Sequence, residues 1–201
     1  ISGPFSLAIS LVGAEALFLA CYDQADWVRS VLDYAGRIIK AFARGYIDAG
    51  AELIVFDSQA SPDLLSPEMY EEFVLPVTKD LVQWCATQGV RDLPLIIGGN
   101  TTSIAGLLAQ TGANNLLCDF TADFDEWAAV CREHGRAFRR NISPRLIQSG
   151  TPDEIYAVAA EELRRGRDLP GFIMGTGVIA FGTPTENILA IKRACQDSAA
   201  G

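Results

Sequence analysis

The residues best placed to do chemistry each stand just after a short apolar run. Asp57 and Ser58 follow residues 53–56. Gly98, Gly99 and Asn100 follow 95–97. Asp119 follows 115–118, Asn141 follows 137–140, and Gly175-Thr176-Gly177 follows 172–174. A carboxylate that directly ends an apolar strand can act as a base or bind a substrate donor. Asp57 is the candidate catalytic residue on that ground. The competing reading has it cap a loop or accept backbone N–H groups. Ser58, Gly99, Asn100, Asp119, Asn141 and Gly177 are the candidate substrate-binding residues. Asp119-Phe120-Thr121 is also ordinary turn chemistry, and the two asparagines can equally fix loops. The Gly98-Gly99 pair permits close approach of a ligand to the backbone, or simply a tight turn. Arg139 and Arg140 are adjacent, so on a strand they face opposite sides. An inward arginine suits an anionic substrate; the blander reading leaves the pair on the helix-facing layer.

Those polar ends need elements to hold them. Each apolar run is followed by punctuation and then an amphipathic helix. Ser66, Pro67 and Glu68 read as cap, first position and first turn of a helix over 67–87, closed by Gly89. Thr101 or Thr102 can cap a helix that stops at Gly112. Further helices are expected over 123–134, near Pro144, over 152–165 behind Thr151, and from after Pro184 to about 196. A long helix covers 26–49, and residues 1–5 read as the end of a sixth strand. Repeated β-then-α units imply parallel strands covered by helices. Either a doubly wound sheet or a (β/α)8 barrel fits, and no dinucleotide fingerprint is present. The expected fold is α/β, an incomplete TIM barrel of five to six βα units, as one domain over 1–201. A whole barrel takes about 250 residues.

The bulk numbers narrow the partners. With 201 residues, 49% hydrophobic, the chain can bury a real core. A net charge of −9 with no basic stripe argues against nucleic acid. The apolar opening stretch is far shorter than the ~20 residues of a membrane span. Five cysteines, none in a C-x-x-C clip, fit a reducing, cytoplasmic compartment better than a disulfide framework. The chain opens with Ile1 inside an apolar segment, so an upstream part is expected. Two open strand edges lead us to expect self-association.

Several segments resemble one family, the uroporphyrinogen decarboxylase superfamily. Residues 49–58 (AGAELIVFDS) are similar to its "AGAD…DS" strand, and 65–76 (LSPEMYEEFVLP) to its "lSPeeYeeFvlPy" helix. Gly99-Asn100-Thr101 resembles the end of "HxCGNT", Thr183–Asn187 resembles "TPxEN", and residues 3–8 resemble "GPftlA". The order and spacing agree along the whole chain, and the wording is closer to the corrinoid-dependent methyltransferase branch.

That resemblance implies a carboxy-terminal part of a barrel enzyme that moves a methyl group between the methylcobalamin of a partner corrinoid protein and a small-molecule thiol or folate. In that branch a zinc ion is held by the "HxCG" residues and a later Cys. The matching positions here are Ile96, Gly98 and Gly177 (or Val178, one gap away), and none can bind a metal. No zinc is therefore expected, nor any directly bound cofactor. The alternatives are a cofactor-free uroporphyrinogen decarboxylase of porphyrin biosynthesis, or a non-catalytic barrel that binds a corrinoid or a partner. The family's substrate arginines and essential aspartate belong to its amino-terminal part.

Overall fold

Five short parallel strands carry the structure. In the computed structural model, which describes residues 1–169 and 171–200, they are β1 (Val55–Phe56), β2 (Pro94–Ile96), β3 (Asn115–Cys118), β4 (Ala137–Asn141) and β5 (Phe172–Gly175). Their order in the sheet is β1-β2-β3-β4-β5, the order of the sequence, and every pairing is parallel. A doubly wound sheet reverses its strand order at a switch point. A barrel does not, so the sheet is an arc of an incomplete barrel, as the sequence predicts.

Registered partners in a parallel sheet share a face. Val55, Leu95, Leu116, Phe138 and Phe172 line one face through their cross-strand register. The first four are buried beneath the helices, at 3% exposure or less. The other face carries Phe56, Ile96, Leu117, Arg139 and Ile173. There Phe56 and Ile173 are 49% and 43% exposed, so this face is open.

The amino-terminal segment departs from expectation. Ile1–Gly3 does run beside β1, through a parallel bridge of Ser2 to Phe56 and a hydrogen bond from Gly3 N to the Phe56 carbonyl. The chain then turns at Pro4 into α1 (Pro4–Val12), followed by α2 (Ala14–Asp23) and α3 (Ala25–Asp48). Proline at the first helical position has its φ already set for a helix, so the strand end expected over 1–5 stops at Gly3. No single helix among the described residues is long and apolar enough to cross a membrane, and α1 and α2 meet at 108°.

The helix expected over 67–87 is interrupted. Ser66 caps α4 (Pro67–Met69) by accepting from Met69 N at 3.2 Å; a π-helical turn (Tyr70–Val74) follows, then α5 (Leu75–Thr87). After β2 a 3-10 turn (Thr102–Ile104) leads into α6 (Ala105–Gln110). No threonine side chain caps it. The Asn100 side chain accepts from Thr102 N (3.3 Å) and from its hydroxyl (2.7 Å). Next come α7 (Phe124–His134), α8 (Pro144–Ser149), α9 (Pro152–Gly166) and α10 (Thr185–Ala200). Thr151 and Glu154 form a full capping box on α9. The TPTEN segment has a structural role. Buried Asn187 donates to the carbonyls of Ile147 (2.8 Å) and Gly150 (3.0 Å), tying the start of α10 to the end of α8.

The core under α7 is aromatic. Trp127 stacks on Phe138 (6.2 Å between ring centres, 22°), and Phe124 meets Phe138 edge-on at 5.2 Å. The four buried cysteines are free thiols, with burial pushing Cys118 to about 12 and Cys131 to about 11. They act as small apolar residues. Trp127 is completely buried. Trp127→Ala should therefore cost about 3–5 kcal/mol, read as a lowered urea midpoint with an unchanged slope.

Candidate functional site

Strand parity decides where each polar end points. Asp57 lies two residues beyond Val55, so it falls on the helix face, and it is fully buried. Its Oδ1 accepts from Ser6 N at 2.7 Å and its Oδ2 from Phe5 N at 3.4 Å. These are free N–H groups of the first turn of α1, so the carboxylate anchors the positive end of that helix. The approach is so close that a Cβ on Gly3 would overlap the Asp57 carboxylate. Asp57 therefore anchors α1 and has no solvent approach, which matches the alternative reading of this residue rather than the catalytic one. Ser58 opens a short 3-10 turn and is exposed.

The open face collects a different set. Asp119, two residues beyond Leu117, is half-buried at the carboxy end of β3. Its Oδ2 accepts from Gly99 N (3.2 Å). Its Oδ1 accepts from Phe120 N (3.0 Å) and from Asn141 Nδ2 (3.2 Å). On its other side, Asn141 Oδ1 accepts from Arg139 Nε (3.3 Å). Gly99, Asp119, Asn141 and Arg139 thus form one hydrogen-bonded chain across the ends of β2, β3 and β4. The glycines make room for it. A Cβ on Gly175 would overlap Asn141 Oδ1 and sit 2.7 Å from Arg139 Nε. Gly177, at φ +63°, packs its Cα side against Pro144 and Asn141. Gly99, at φ +85°, lies against Asp63 and Ser61.

Of the expected site residues, Gly99, Asp119, Asn141 and Gly177 come together. Asn100 is exposed and caps the following turn, and Asp57 lies behind the sheet. Arg139 belongs to the group but carried no site assignment in the sequence. The i, i+2 spacing of Arg139 and Asn141 on a strand was the available signal.

Arg140 takes the helix side. It forms a buried ion pair with Glu162 at 3.3 Å, and its Nη1 donates to the carbonyls of Asp119 (2.7 Å) and Ala122 (3.0 Å). It fixes the main chain that presents Asp119. Tyr70, in the π-helical turn, is also fully buried, and its hydroxyl has no hydrogen-bond partner among the described residues. Burial, then the nearby Asp57 charge, push its pKa far up. A cavity of about 730 Å³ lies among Gly50, Glu52, Gln88, Arg91 and Asp92, at the amino-terminal end of the strands. Barrel chemistry takes place at the carboxy end, so we assign that cavity no role.

The zinc positions implied by the resemblance are Ile96, Gly98 and Gly177. Ile96 and Gly98 share the open face by parity. None of the three offers a ligand atom, so this donor set does not fit zinc. Among the described residues, no three His, Cys, Asp or Glu side chains gather as a metal site.

Comparison with known proteins shows the family. The family model for uroporphyrinogen decarboxylase (URO-D) matches residues 1–198. The chain belongs to the uroporphyrinogen decarboxylase family. Methylcobamide:CoM methyltransferase MtbA of Methanosarcina mazei is 29% identical over 188 residues, covering 92% of this chain and 53% of that protein. Uroporphyrinogen decarboxylase of a Synechococcus species is 28% identical over 202 residues, covering 96% and 56%. A solved methyltransferase from Methanosarcina mazei superposes with a TM-score of 0.85 at 26% identity, covering 98% of this chain and 57% of its own. The chain thus spans about half the length of the relatives it matches.

Burial raises the Asp57 pKa from its ordinary 3.8 to about 6, against the lowering effect of the Ser6 and Phe5 hydrogen bonds. The folded state then holds a proton that the unfolded state has released between those values. Stability therefore falls as pH rises from about 4 to about 6, by on the order of 3 kcal/mol in all. Urea midpoints compared across that window should show this fall in the parent but not in Asp57→Asn. Parallel profiles for the two proteins would refute the assignment.

Proposed function

We propose that this chain is part of a cytoplasmic methyltransferase of corrinoid-dependent one-carbon metabolism whose site works without the usual zinc ligands. The observation that carries it is the Gly99–Asp119–Asn141–Arg139 chain on the open face, at the strand ends where barrel enzymes work. The match to MtbA along nearly the whole chain supports the branch. Beneath the polar chain the open face exposes Phe56 and Ile173 on either side of the buried Ile96 and Leu117, an apolar character that suits a large flat macrocycle.

A partner protein's methylcorrinoid supplies the methyl group in this reading. This chain's residues act on the acceptor. An acceptor thiol reacts as its thiolate, so its proton must leave, and the Asp119 carboxylate is the open-face base that receives it. Asn141 and the Gly99 N–H orient that carboxylate, and Arg140 fixes its backbone. Gly177 borders the same group through Asn141.

A second reading, a cofactor-free decarboxylase of a tetrapyrrole polycarboxylate, is favoured by the decarboxylase relatives and by the inward Arg139. The open face and the uncovered edge of β5 also support self-association of this chain.

Methyl transfer from methylcobalamin to thiols and to tetrahydrofolate, assayed on the full-length protein, tests the first reading. Turnover is expected, with Asp119→Asn lowering kcat by roughly 10²–10⁴-fold. Carbon dioxide release from uroporphyrinogen without methyl transfer would establish the second reading instead. Neither activity, with tight binding to a corrinoid protein, would leave a binding barrel. For the 201-residue chain, light scattering should show a dimer or larger; a clean monomer would refute self-association.

A further inference from the structure

The turn after β3 is gripped from behind the sheet. Asp119 sends its carboxylate to the open face, where Gly99 N and Asn141 Nδ2 each donate to it at 3.2 Å. Its main-chain carbonyl is engaged on the helix side. It accepts from Ala122 N at 3.0 Å, which closes the turn, and from Arg140 Nη1 at 2.7 Å. The same nitrogen donates to the Ala122 carbonyl at 3.0 Å, so one corner of the guanidinium holds both ends of the turn.

Glu162, on α9, holds the opposite edge of that guanidinium. Its Oε1 accepts from Arg140 Nη2 at 3.3 Å, and its Oε2 lies 3.3 Å from Arg140 Nε as an ion-pair contact. The ring of Phe124, at the start of α7, lies beneath, 5.7 Å from the guanidinium carbon. Both charged side chains are nearly out of water, at 8% and 14% exposure. A buried ion pair is a poor means of gaining stability, because desolvation offsets the attraction and packed apolar side chains would do at least as well. What it supplies is direction. The planar fork has a fixed geometry, so the position of Glu162 sets that of the guanidinium, and the guanidinium sets the turn. Only Cα and Cβ separate the pinned carbonyl carbon of Asp119 from its carboxyl carbon on the other face.

We propose that Glu162 is a positioning residue for the open-face site: acting through Arg140 from behind the sheet, it sets where the Asp119 carboxylate stands against Gly99. The consequence for turnover rests on the reading of Asp119 as the base. The coupling from α9 to the open face does not.

The Gly99 N–H reports on the Asp119 carboxylate, which is its acceptor. Amide exchange in the full-length protein, followed residue by residue by NMR, tests the proposal in Glu162→Gln, Arg140→Gln and the double variant. Gly3 and Gly150 serve as references, since their N–H groups donate to the Phe56 and Leu146 carbonyls, away from the turn. Glu162→Gln should speed Gly99 exchange by roughly tenfold, the size of one charge-assisted hydrogen bond, and leave the two references unchanged. Arg140→Gln should do the same. The double variant should do no more than either alone, because both changes act through one contact. Glu162→Asp keeps the charge with a shorter reach. It should give a smaller rise at Gly99, and it carries the test where the glutamine variant does not fold. Unchanged Gly99 exchange, an equal rise at all three glycines, or additive effects in the double variant would overturn the proposal. In an active protein Glu162→Gln should lower kcat and leave KM unchanged; a rise in KM alone would also overturn it. The stated Gly99 response without any methyl transfer would remove only the reaction proposed above.

Discussion

The two-residue alternation of a parallel strand is the constraint on which the rest depends. One face of the sheet must be covered by helices, because Val55, Leu95, Leu116 and Phe138 cannot stay in water. Once that face is fixed, the direction of every later strand residue follows. Asp57 shares parity with Val55 and is carried behind the sheet. Asp119, Arg139 and Asn141 share parity with Leu117 and are carried to the open face. A slip of one residue in β3 or β4 would exchange the sets. It would bury Asp119 and expose Cys118, so the same apolar burial that stabilises the sheet also specifies the site.

Charged groups behind the sheet do positional work. The Asp57 carboxylate holds the first turn of α1 against β1, and Gly3 lets it approach. Arg140 holds the loop after β3 against β4, with Glu162 answering its charge. Asn187 does the same for α8 and α10 without a charge. In each case a buried side chain satisfies main-chain groups that regular structure leaves unpaired. Burial of the Asp57 carboxylate has a cost, a raised pKa. The shortness of the strands makes such ties necessary, since β1 has two residues and β2 three.

Much of this was legible in the sequence, and the losses have physical causes. The apolar runs and their punctuation located β1 to β5, and the order of motifs indicated the family. The strand end expected over 1–5 ran two residues too far because an apolar run suits a buried strand or a buried helix equally; Pro4 was the sign of a helix start. The π-helical turn at Tyr70–Val74 has no sequence signature, because one extra residue in a helix leaves the capping pattern intact. Asp57 attracted the catalytic reading because it directly ends a strand, yet parity with Val55 already sent it the other way. Gly99, Asp119 and Asn141 were each legible as polar residues at strand ends, but the hydrogen bonds that join them to one another and to Arg139 were not, since they link three strands through register, which no local window contains.

The residues at the zinc positions bear on the chemistry of this site. A dication lowers the pKa of a bound thiol outright, whereas Ile96, Gly98 and Gly177 offer hydrocarbon and backbone. Anything done with a thiol here must rely on weaker means. Nearby positive charge lowers a thiol's pKa, and Arg139 supplies one such charge on the open face, tied through Asn141 to Asp119, the residue proposed above as the proton acceptor.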